Sequence, residues 1–417
     1  MKKRNNLLFF ILWSPYFLFA QEELLPINLD ANVINNAESL RAFFGRLDKS
    51  GESVVSIFHF GDSHIQADYF SGEIRKQMQQ TFGNAGRGFV FPYQQVATNG
   101  PKDYSFKSRQ HWEVMKLIKT KSAFYCGLAG YTFLIDPTIE NRNLDFSFRT
   151  DSDFMNNSVR TIQLFYETGG QQPEITAFDA QYAGYAKLLS RKNNSGLTID
   201  SFVFNSPAQQ FEINLQGAGP ETIFLDGVIL SNGENGLIYH SVGVNGAKFT
   251  QFNQAPKFMD ELGILNPGLV IVSLGTNESA GKYDSLEFIQ TLDSLVQKIQ
   301  YLGATVLLTT PPNNYLPHRG YKYISRKGKR RKVRYKAYEP NENIKLIKDN
   351  ILSYCYSRHI AYWDLYEVMG GDYSMKEWVK NGKAAKDYLH FTKGGYLLQG
   401  NLFYEAFINA YRQYQIK

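Results

Sequence analysis

The chain has 417 residues, of which 43% are hydrophobic and 20% charged, and its formal net charge is +6. This length suggests two domains, or one domain with a large insertion, and this composition excludes a disordered or fibrous protein. Residues 319–336 carry ten Lys and Arg and no acid, so the rest of the chain is mildly acidic once the basic N-terminus is also set aside.

Residues 1–20 have the layout of a secretory signal. A basic end, "MKKR", precedes the apolar stretch "LLFFILW", and Ala20 offers a cleavage point. Ser14 and Pro15 interrupt the apolar stretch, which is therefore too short to span a bilayer. We expect an exported protein, periplasmic, secreted or in the cell envelope, with no transmembrane segment after the signal is removed.

The first strand–helix unit carries a serine at its turn. The run "VVSIFHF" (54–60) predicts a buried strand, and residues 69–82 predict an amphipathic helix. Between them, "GDSH" puts Ser63 at the carboxyl end of the strand, where ligands bind in open α/β sheets and helix N–H groups suit an oxyanion. Ser63 is thus a candidate nucleophile, although Asp62 or Ser63 could instead only cap the helix.

The middle of the chain, residues 101–232, has a different pattern. Alternating runs such as "RTIQLFYE", "LTIDSFVF" and "FEINLQ" are separated by clusters of Gly, Asn and Pro. This pattern predicts an antiparallel β-sandwich of jelly-roll type, inserted after the first strand–helix unit.

Strands followed by helices resume after residue 233. Apolar runs such as "LVIVSLG" (269–275) and "ATVLLTTPP" (304–312) predict a parallel sheet covered by helices on both faces. Two strand ends carry polar motifs: "VNGA", where Gly246 could aim a backbone N–H into a site, and "GTNES", where Asn277 could offer an amide donor to an oxyanion. Either motif could also be an ordinary turn.

Near the C-terminus, "KDYLHF" contains Asp387 and His390. A serine hydroxyl needs a base to remove its proton, and the imidazole that does so needs an acceptor to fix its tautomer. Asp and His three residues apart can supply both, although His390 could be only a surface or capping residue.

The five candidates occur in the order of the four sequence blocks of the SGNH, or GDSL-like, hydrolases, which this chain resembles: Ser63, Gly246, Asn277, Asp387 and His390. The resemblance implies a three-layer α/β/α, flavodoxin-like domain in which Ser63 is the nucleophile, His390 the general base and Asp387 its orienting partner. It also implies an oxyanion hole made by the N–H groups of Ser63 and Gly246 and the side chain of Asn277. Glu278 stands where many members have Asp.

An exported domain of this kind with a β-sandwich between its serine and glycine blocks resembles the bacterial peptidoglycan O-acetylesterases. This implies a signal peptide (1–20), a hydrolase domain in two parts (21–100 and 233–417) and an inserted carbohydrate-binding-like domain (101–232). The expected function is removal of O-acetyl groups from a cell-envelope glycan, with peptidoglycan the first candidate. An esterase or acyltransferase acting on another acylated polysaccharide, and a glycan-binding protein with a retired active site, stay open as alternatives.

The remaining expectations concern cofactors and partners. The histidines lack metal-ligand spacing, so we predict no metal and no cofactor. The basic stretch 319–336 could attract an anionic envelope polymer, or it could be a solvated hairpin or mobile loop; export argues against nucleic acid. Cys126 and Cys355 are expected to be two buried thiols rather than a disulfide, although their pairing is left open.

Overall fold

The computed structural model describes residues 25–119, 123–136, 138–139, 142–149, 158–179, 181–194, 196–216, 221–326 and 329–416. The predicted signal peptide, residues 1–20, lies outside the described residues.

Strands are found along most of the described chain. In chain order they are β1 (Ile34–Asn35), β2 (Val54–Gly61), β3 (Gly88–Val90), β4 (Tyr104–Lys107), β5 (Glu113–Lys116), β6 (Tyr131–Ile135), β7 (Asn143–Phe148), β8 (Val159–Thr168), β9 (Glu174–Asp179), β10 (Gly184–Tyr185), β11 (Lys187–Asn194), β12 (Leu197–Ala208), β13 (Gln210–Gln216), β14 (Ile223–Ser231), β15 (Gly236–Gly243), β16 (Leu269–Ser273), β17 (Thr305–Thr309), β18 (Tyr315–Arg326), β19 (Lys329–Pro340) and β20 (Ala361–Trp363).

Helices occur on both sides of the long stretch of strands. The α-helices are α1 (Arg41–Leu47), α2 (Ser63–Gln66), α3 (Tyr69–Phe82), α4 (Phe249–Asn253), α5 (Pro256–Leu265), α6 (Ser285–Tyr301), α7 (Glu342–Arg358), α8 (Leu365–Val368), α9 (Ser374–Lys380) and α10 (Lys393–Ile416).

One six-stranded sheet has the order β1-β20-β17-β16-β2-β15. All of its neighbours are parallel except β1, which pairs antiparallel with β20 at the edge. When the parallel strands are numbered in chain order, their arrangement is 2-1-3-4-5, the flavodoxin-like order. The predicted α/β class is confirmed.

The period-2 alternation of β2 explains why this sheet has helices on both faces. Phe58 and Phe60 belong to a core cluster that also contains residues of α5, α6 and α7. Val55 and Ile57 belong to a second cluster with residues of α1, α3 and α10. All four side chains are almost fully buried. The sheet is therefore the middle layer between two sets of helices.

The strands between β2 and β15 form two antiparallel sheets. One has five strands in the order β10-β9-β13-β7-β4, and the other has seven, ordered β11-β12-β8-β14-β6-β5 with β3 also paired to β14. The antiparallel strands predicted for residues 101–232 are present. Strand β3 lies before residue 101, so the antiparallel pairing begins earlier in the chain than the pattern of alternating runs indicates.

Strands β18 and β19 pair only with each other, and we call them the basic hairpin (315–340). Residues 319–326 and 329–336 therefore pair as the two strands of a hairpin, one of the forms expected from the sequence. Cys126 and Cys355 are both buried, and burial raises the pKa of the Cys126 thiol to about 12. Of the helices described, none has an apolar run long enough to cross a membrane.

Candidate active site

Ser63 begins α2, directly after the carboxyl end of β2. The strand ends at Gly61, where a Cβ atom would lie 2.3 Å from the backbone oxygen of Ser273, so the neighbouring strand permits only glycine there. Asp62 is the helix cap, because its Oδ1 accepts a hydrogen bond from the N–H of His64 at 2.9 Å. The Ser63 hydroxyl is thus left for another partner.

That partner is His390. Ser63 Oγ lies 3.0 Å from His390 Nε2, and His390 Nδ1 lies 2.8 Å from Asp387 Oδ2. A carboxylate beside Nδ1 selects the tautomer with the proton on Nδ1, and Nε2 can then accept the proton of the serine hydroxyl. The arrangement can perform general-base activation of a serine nucleophile.

The three-residue spacing of Asp387 and His390 has a local cause. Asp387 Oδ1 accepts hydrogen bonds from the backbone N–H groups of Leu389 and His390, each at 3.0 Å, which turns the chain and brings the imidazole back to Oδ2. Partial burial opposes ionisation, but the hydrogen bonds from His390 and Leu389 outweigh it and hold the pKa of Asp387 below its ordinary value. The carboxylate is therefore ionised beside the imidazole at neutral pH.

Gly246 and Asn277 lie at the same cavity as Ser63 and His390, and we call it the serine cavity. Its volume is about 530 Å³. Gly246 has a φ of +82°, in the left-handed region that favours glycine. The serine cavity is lined by Ser63, Ala67, Tyr69, Asn99, Asn245, Gly246, Asn277, Leu389, His390, Phe391 and Tyr396. Four of the five predicted residues line it. The fifth, Asp387, does not line the cavity but is hydrogen-bonded to His390, which does.

The side chain of Asn277 links two of the loops at the serine cavity. Its Nδ2 donates to the carbonyl of Ala247 at 2.9 Å and to Asp62 Oδ2 at 3.3 Å. The longer bond is the weaker one, so the N–H aimed at Asp62 is the donor that can turn toward an oxyanion. Burial raises the pKa of Asp62 to about 6.

Glu278, the departure from the usual Asp, supports the loop that contains Gly246. Its Oε1 accepts a hydrogen bond of 2.7 Å from the N–H of Phe249, the first residue of α4. Burial raises the pKa of Glu278 to about 7. The carboxyl group therefore holds the helix that follows the Gly246 turn and has no contact with the serine hydroxyl.

Sequence reasoning missed a set of amide side chains at the serine cavity. Gln66 is buried, and its Oε1 accepts from the N–H of Asn245 at 2.6 Å while its Nε2 donates to Asn99 Oδ1 at 2.9 Å. Asn245 Nδ2 also donates to Asn99 Oδ1, at 2.7 Å. In the sequence, Asn99 and Asn245 are each followed by a glycine. An Asn-Gly pair by itself predicts only a turn, so neither residue is marked as part of a site.

Two further side chains, His64 and Tyr396, lie beside His390. His64 Nδ1 lies 3.0 Å from the hydroxyl of Tyr396, and the rings of His64 and His390 are 5.5 Å apart. Burial, together with the charge of His390, lowers the pKa of His64 to about 3, so His64 is neutral. In the residues that the structure describes, no three His, Cys, Asp or Glu side chains are grouped so as to hold a metal ion.

Comparison with known proteins identifies the family. Residues 165–403, more than half of the chain, match the GDSL-like lipase/acylhydrolase family. The chain belongs to this family. It is therefore an SGNH-type ester hydrolase. The family match includes Gly246, Asn277, Asp387 and His390 but begins after Ser63, so the place of Ser63 in the site depends on the geometry described above.

A solved structure shares the fold of this acylhydrolase over most of its length, and others align with part of it. A peptidoglycan O-acetylesterase structure aligns with a TM-score of 0.70 at 20% identity, over 94% of this chain and 99% of that one. A GDSL-like lipase from Bacteroides thetaiotaomicron aligns over 42% of this chain and 76% of its own, at 20% identity and a TM-score of 0.29. An acetylxylan esterase from Geobacillus stearothermophilus aligns over 42% and 73%, at 15% identity and a TM-score of 0.29. The search of curated proteins found no match.

Proposed function

We propose that this acylhydrolase is an exported serine esterase that removes O-acetyl groups from a cell-envelope glycan, with peptidoglycan the first candidate. The observation that supports this most is the hydrogen-bonded series Ser63–His390–Asp387 beside a cavity open to solvent. The O-acetyl and peptidoglycan assignments are supported by the fold that the chain shares, over 94% of its length, with a peptidoglycan O-acetylesterase.

The reaction begins when Ser63 Oγ attacks the acetyl carbonyl carbon and His390 Nε2 takes the hydroxyl proton. Asp387 stabilises the imidazolium that forms. When the tetrahedral intermediate collapses, the bond between the acetyl carbon and the sugar oxygen breaks, and His390 returns the proton to that oxygen. Water, activated by the same imidazole, then attacks the acetyl-serine and releases acetate.

The negative charge of the tetrahedral intermediate needs donors that are already in place. In this proposal the donors are the backbone N–H groups of Ser63 and Gly246 and the Nδ2 of Asn277. The bond from Asn277 to Ala247 keeps the amide beside the Gly246 turn. During the reaction the N–H aimed at Asp62 exchanges this long bond of 3.3 Å for a bond to the oxyanion.

The serine cavity suits an acetylated sugar. Its volume of about 530 Å³ is within the usual range for small-molecule sites. Asn99 and Asn245 provide amide groups for sugar hydroxyls, and the roughly parallel rings of Tyr69 and Tyr396, 6.5 Å apart, provide an aromatic wall.

In this proposal the hydrolase domain consists of residues 21–100 and 233–417, and residues 101–232 form an inserted jelly-roll module that contacts glycan. The two antiparallel sheets support this division. Asn99, which belongs to the first part of the hydrolase domain and lies two residues before the module begins, lines the serine cavity.

The basic hairpin is proposed to attract an anionic envelope polymer. Its cations lie against its own tyrosine rings, with Lys332 Nζ 4.2 Å from the ring centre of Tyr321 and the Arg330 guanidinium 4.5 Å from that of Tyr323. The end of the hairpin nearest the rest of the protein packs on the loop that contains Asp387 and His390, because the rings of Tyr338 and Tyr388 are 4.9 Å apart. A polymer held on the hairpin would lie beside the serine cavity.

The proposed function is tested by following acetate release from O-acetylated cell-wall sacculi, with de-acetylated sacculi as the substrate control. We expect release by the wild-type protein and none above background by Ser63→Ala. Ser357→Ala is the matched control, because its hydroxyl only bonds a carbonyl within α7. Equal release by wild type and Ser63→Ala would overturn the proposal.

A further inference from the structure

A second cavity lies at the opposite edge of the parallel sheet, and we call it the basal cavity. Its volume is about 510 Å³. Val54, Val55 and Ser56, at the start of β2, line it, whereas Ser63 follows the end of the same strand. Eight residues of strand separate the two edges, which is roughly 26 Å at about 3.3 Å per residue. The basal cavity shares no lining residue with the serine cavity.

The other wall of the basal cavity belongs to the seven-stranded antiparallel sheet. Gln163 and Phe165 of β8 and Ile229 of β14 line it. The basal cavity therefore lies where the proposed hydrolase domain meets the proposed inserted module, and junctions of this kind are preferred places for ligand sites.

The charged residues at the basal cavity are all of one sign. Arg46, Lys49 and Lys192 line it, and no Asp or Glu is among the described residues that do so. No ion pair joins any of these three cations to a carboxylate within the described part of the chain. A small anion entering here would meet three cations and no opposing charge.

The basal cavity also has a neutral hydrogen-bond donor in its wall. His240 is 2% exposed, and its Nδ1 accepts the N–H of Phe89 at 3.1 Å. Burial lowers the pKa of His240 to about 3, so the ring is neutral and its proton is on Nε2. The hydroxyl of Ser56, which also lines the basal cavity, is buried and has no hydrogen-bond partner among the described residues. Buried donors without acceptors are rare, and a ligand oxygen would satisfy one.

We propose that the basal cavity binds a carboxylate-bearing sugar. The carboxylate would lie against Arg46, Lys49 and Lys192, and sugar hydroxyls would accept from His240 and bond Gln163. Phe165 and the aliphatic side chains offer an apolar wall for the C–H face of a sugar ring. The choice of a sugar over other organic anions rests on the proposed function, whereas the choice of an anion rests on the three cations alone.

The test is direct binding to the full chain carrying Ser63→Ala, measured by titration calorimetry. The ligands are N-acetylmuramic acid, galacturonic acid and the neutral N-acetylglucosamine. We expect at least one acid to bind roughly tenfold more tightly than the neutral sugar, because a charge-assisted contact is worth about one such factor. Tighter binding of N-acetylmuramic acid would indicate that the site recognises a lactyl carboxylate, and tighter binding of galacturonic acid that it recognises a uronic carboxylate. Equal affinity for all three sugars would overturn the proposal.

Two variants assign the binding to the basal cavity. Arg46→Gln combined with Lys192→Gln should weaken binding of the acid roughly tenfold. Lys187→Gln should leave it unchanged, because Lys187 is an exposed residue of the same strand, β11, and does not line the basal cavity. All three substituted side chains are exposed, so folding is preserved, and the melting temperature verifies this. Unchanged affinity in the double variant would also overturn the proposal.

The same variants separate this proposal from the proposed function. In a background that retains Ser63, we expect the Arg46→Gln, Lys192→Gln protein to hydrolyse a chromogenic acetyl ester at the wild-type rate. If the wild-type protein showed no esterase activity, the proposed function would be contradicted, whereas the calorimetric result on the basal cavity would still hold.

Discussion

Asn277 has one observed contact and one proposed role at the serine cavity. It bonds the Ala247 carbonyl in the resting enzyme and, in the proposed reaction, donates to the oxyanion. Asn277→Ala should lower kcat for a chromogenic acetyl ester by roughly 100- to 1000-fold with little change in KM, because the lost donor acts on the transition state.

Asn99→Ala is the matched control for this prediction, because Asn99 lines the serine cavity and is not a proposed oxyanion donor. Its effect should fall on KM for glycan substrates. A kcat of Asn277→Ala within threefold of wild type would contradict the assignment of Asn277 to the oxyanion hole.

Glu278 predicts a pH dependence of stability. Its pKa in the folded protein is about 7, above the ordinary value of 4.5, so the folded state holds the proton more tightly than the unfolded state. Its stabilising contribution is complete below pH 4.5 and is lost as the pH rises through 7. A shift of this size corresponds to about 3 kcal/mol in the free energy of unfolding.

Glu278→Gln removes the titration and keeps an acceptor for the Phe249 N–H. Urea unfolding at pH 5 and pH 8 should show a smaller loss of stability with rising pH in the variant than in the wild type. The same loss in both proteins would show that Glu278 does not titrate in this range.

At the scale of elements, the ends of the parallel strands are where the sequence was most informative. A buried run that ends in Gly, with a polar residue one or two positions later, identified the loops that contain Ser63, Gly246 and Asn277, because parallel strands bring their carboxyl ends to one edge. The Asp387–His390 pair was predictable for a local reason, since an Asx turn and one side-chain bond require only three residues.

Other elements depended on contacts between distant parts of the chain. Gln66 lies on α2 with no unusual spacing, and only the fold brings it to Asn99 and Asn245. Strand β3 has three residues, and its pairing with β14 joins distant segments, as in Val228 opposite Val90, 138 residues apart. A pattern read locally contains no signal for either feature.

The basic hairpin gives a prediction at this scale. Reversing its charge at four positions should lower retention of the protein on purified sacculi several-fold, because these side chains are exposed and charge attraction to a polyanion is lost. The four positions are Lys329→Glu, Arg330→Glu, Arg331→Glu and Lys332→Glu.

The control reverses four exposed cations outside both the hairpin and the proposed glycan-contacting module: Lys282, Lys298, Lys376 and Arg412. It has the same net charge as the hairpin variant and should be retained more strongly. Hydrolysis of a small acetyl ester should be equal in both variants, since neither changes the serine cavity. Equal retention of the two variants would reject the hairpin as the binding surface.

At the scale of the whole molecule, the site depends on long-range packing. Ser63 and His390 are separated by 327 residues, yet their side chains are 3.0 Å apart. Helices α3 and α10 pack in one core cluster on the same face of the sheet, and the loop with His390 leads directly into α10. The strands of the antiparallel sheets lie between β2 and β15 in the sequence, yet β15 pairs with β2 in the parallel sheet from Gly236 to Gly243.

The most direct test of this account is to trap the covalent intermediate. The protein is mixed with a chromogenic acetyl ester, quenched in acid during turnover, digested and analysed by mass spectrometry. We predict that the peptide containing Ser63 gains the mass of one acetyl group, and that Ser63→Ala acquires no such label. Turnover with the acetyl group on a different residue, or undiminished turnover by Ser63→Ala, would contradict the account.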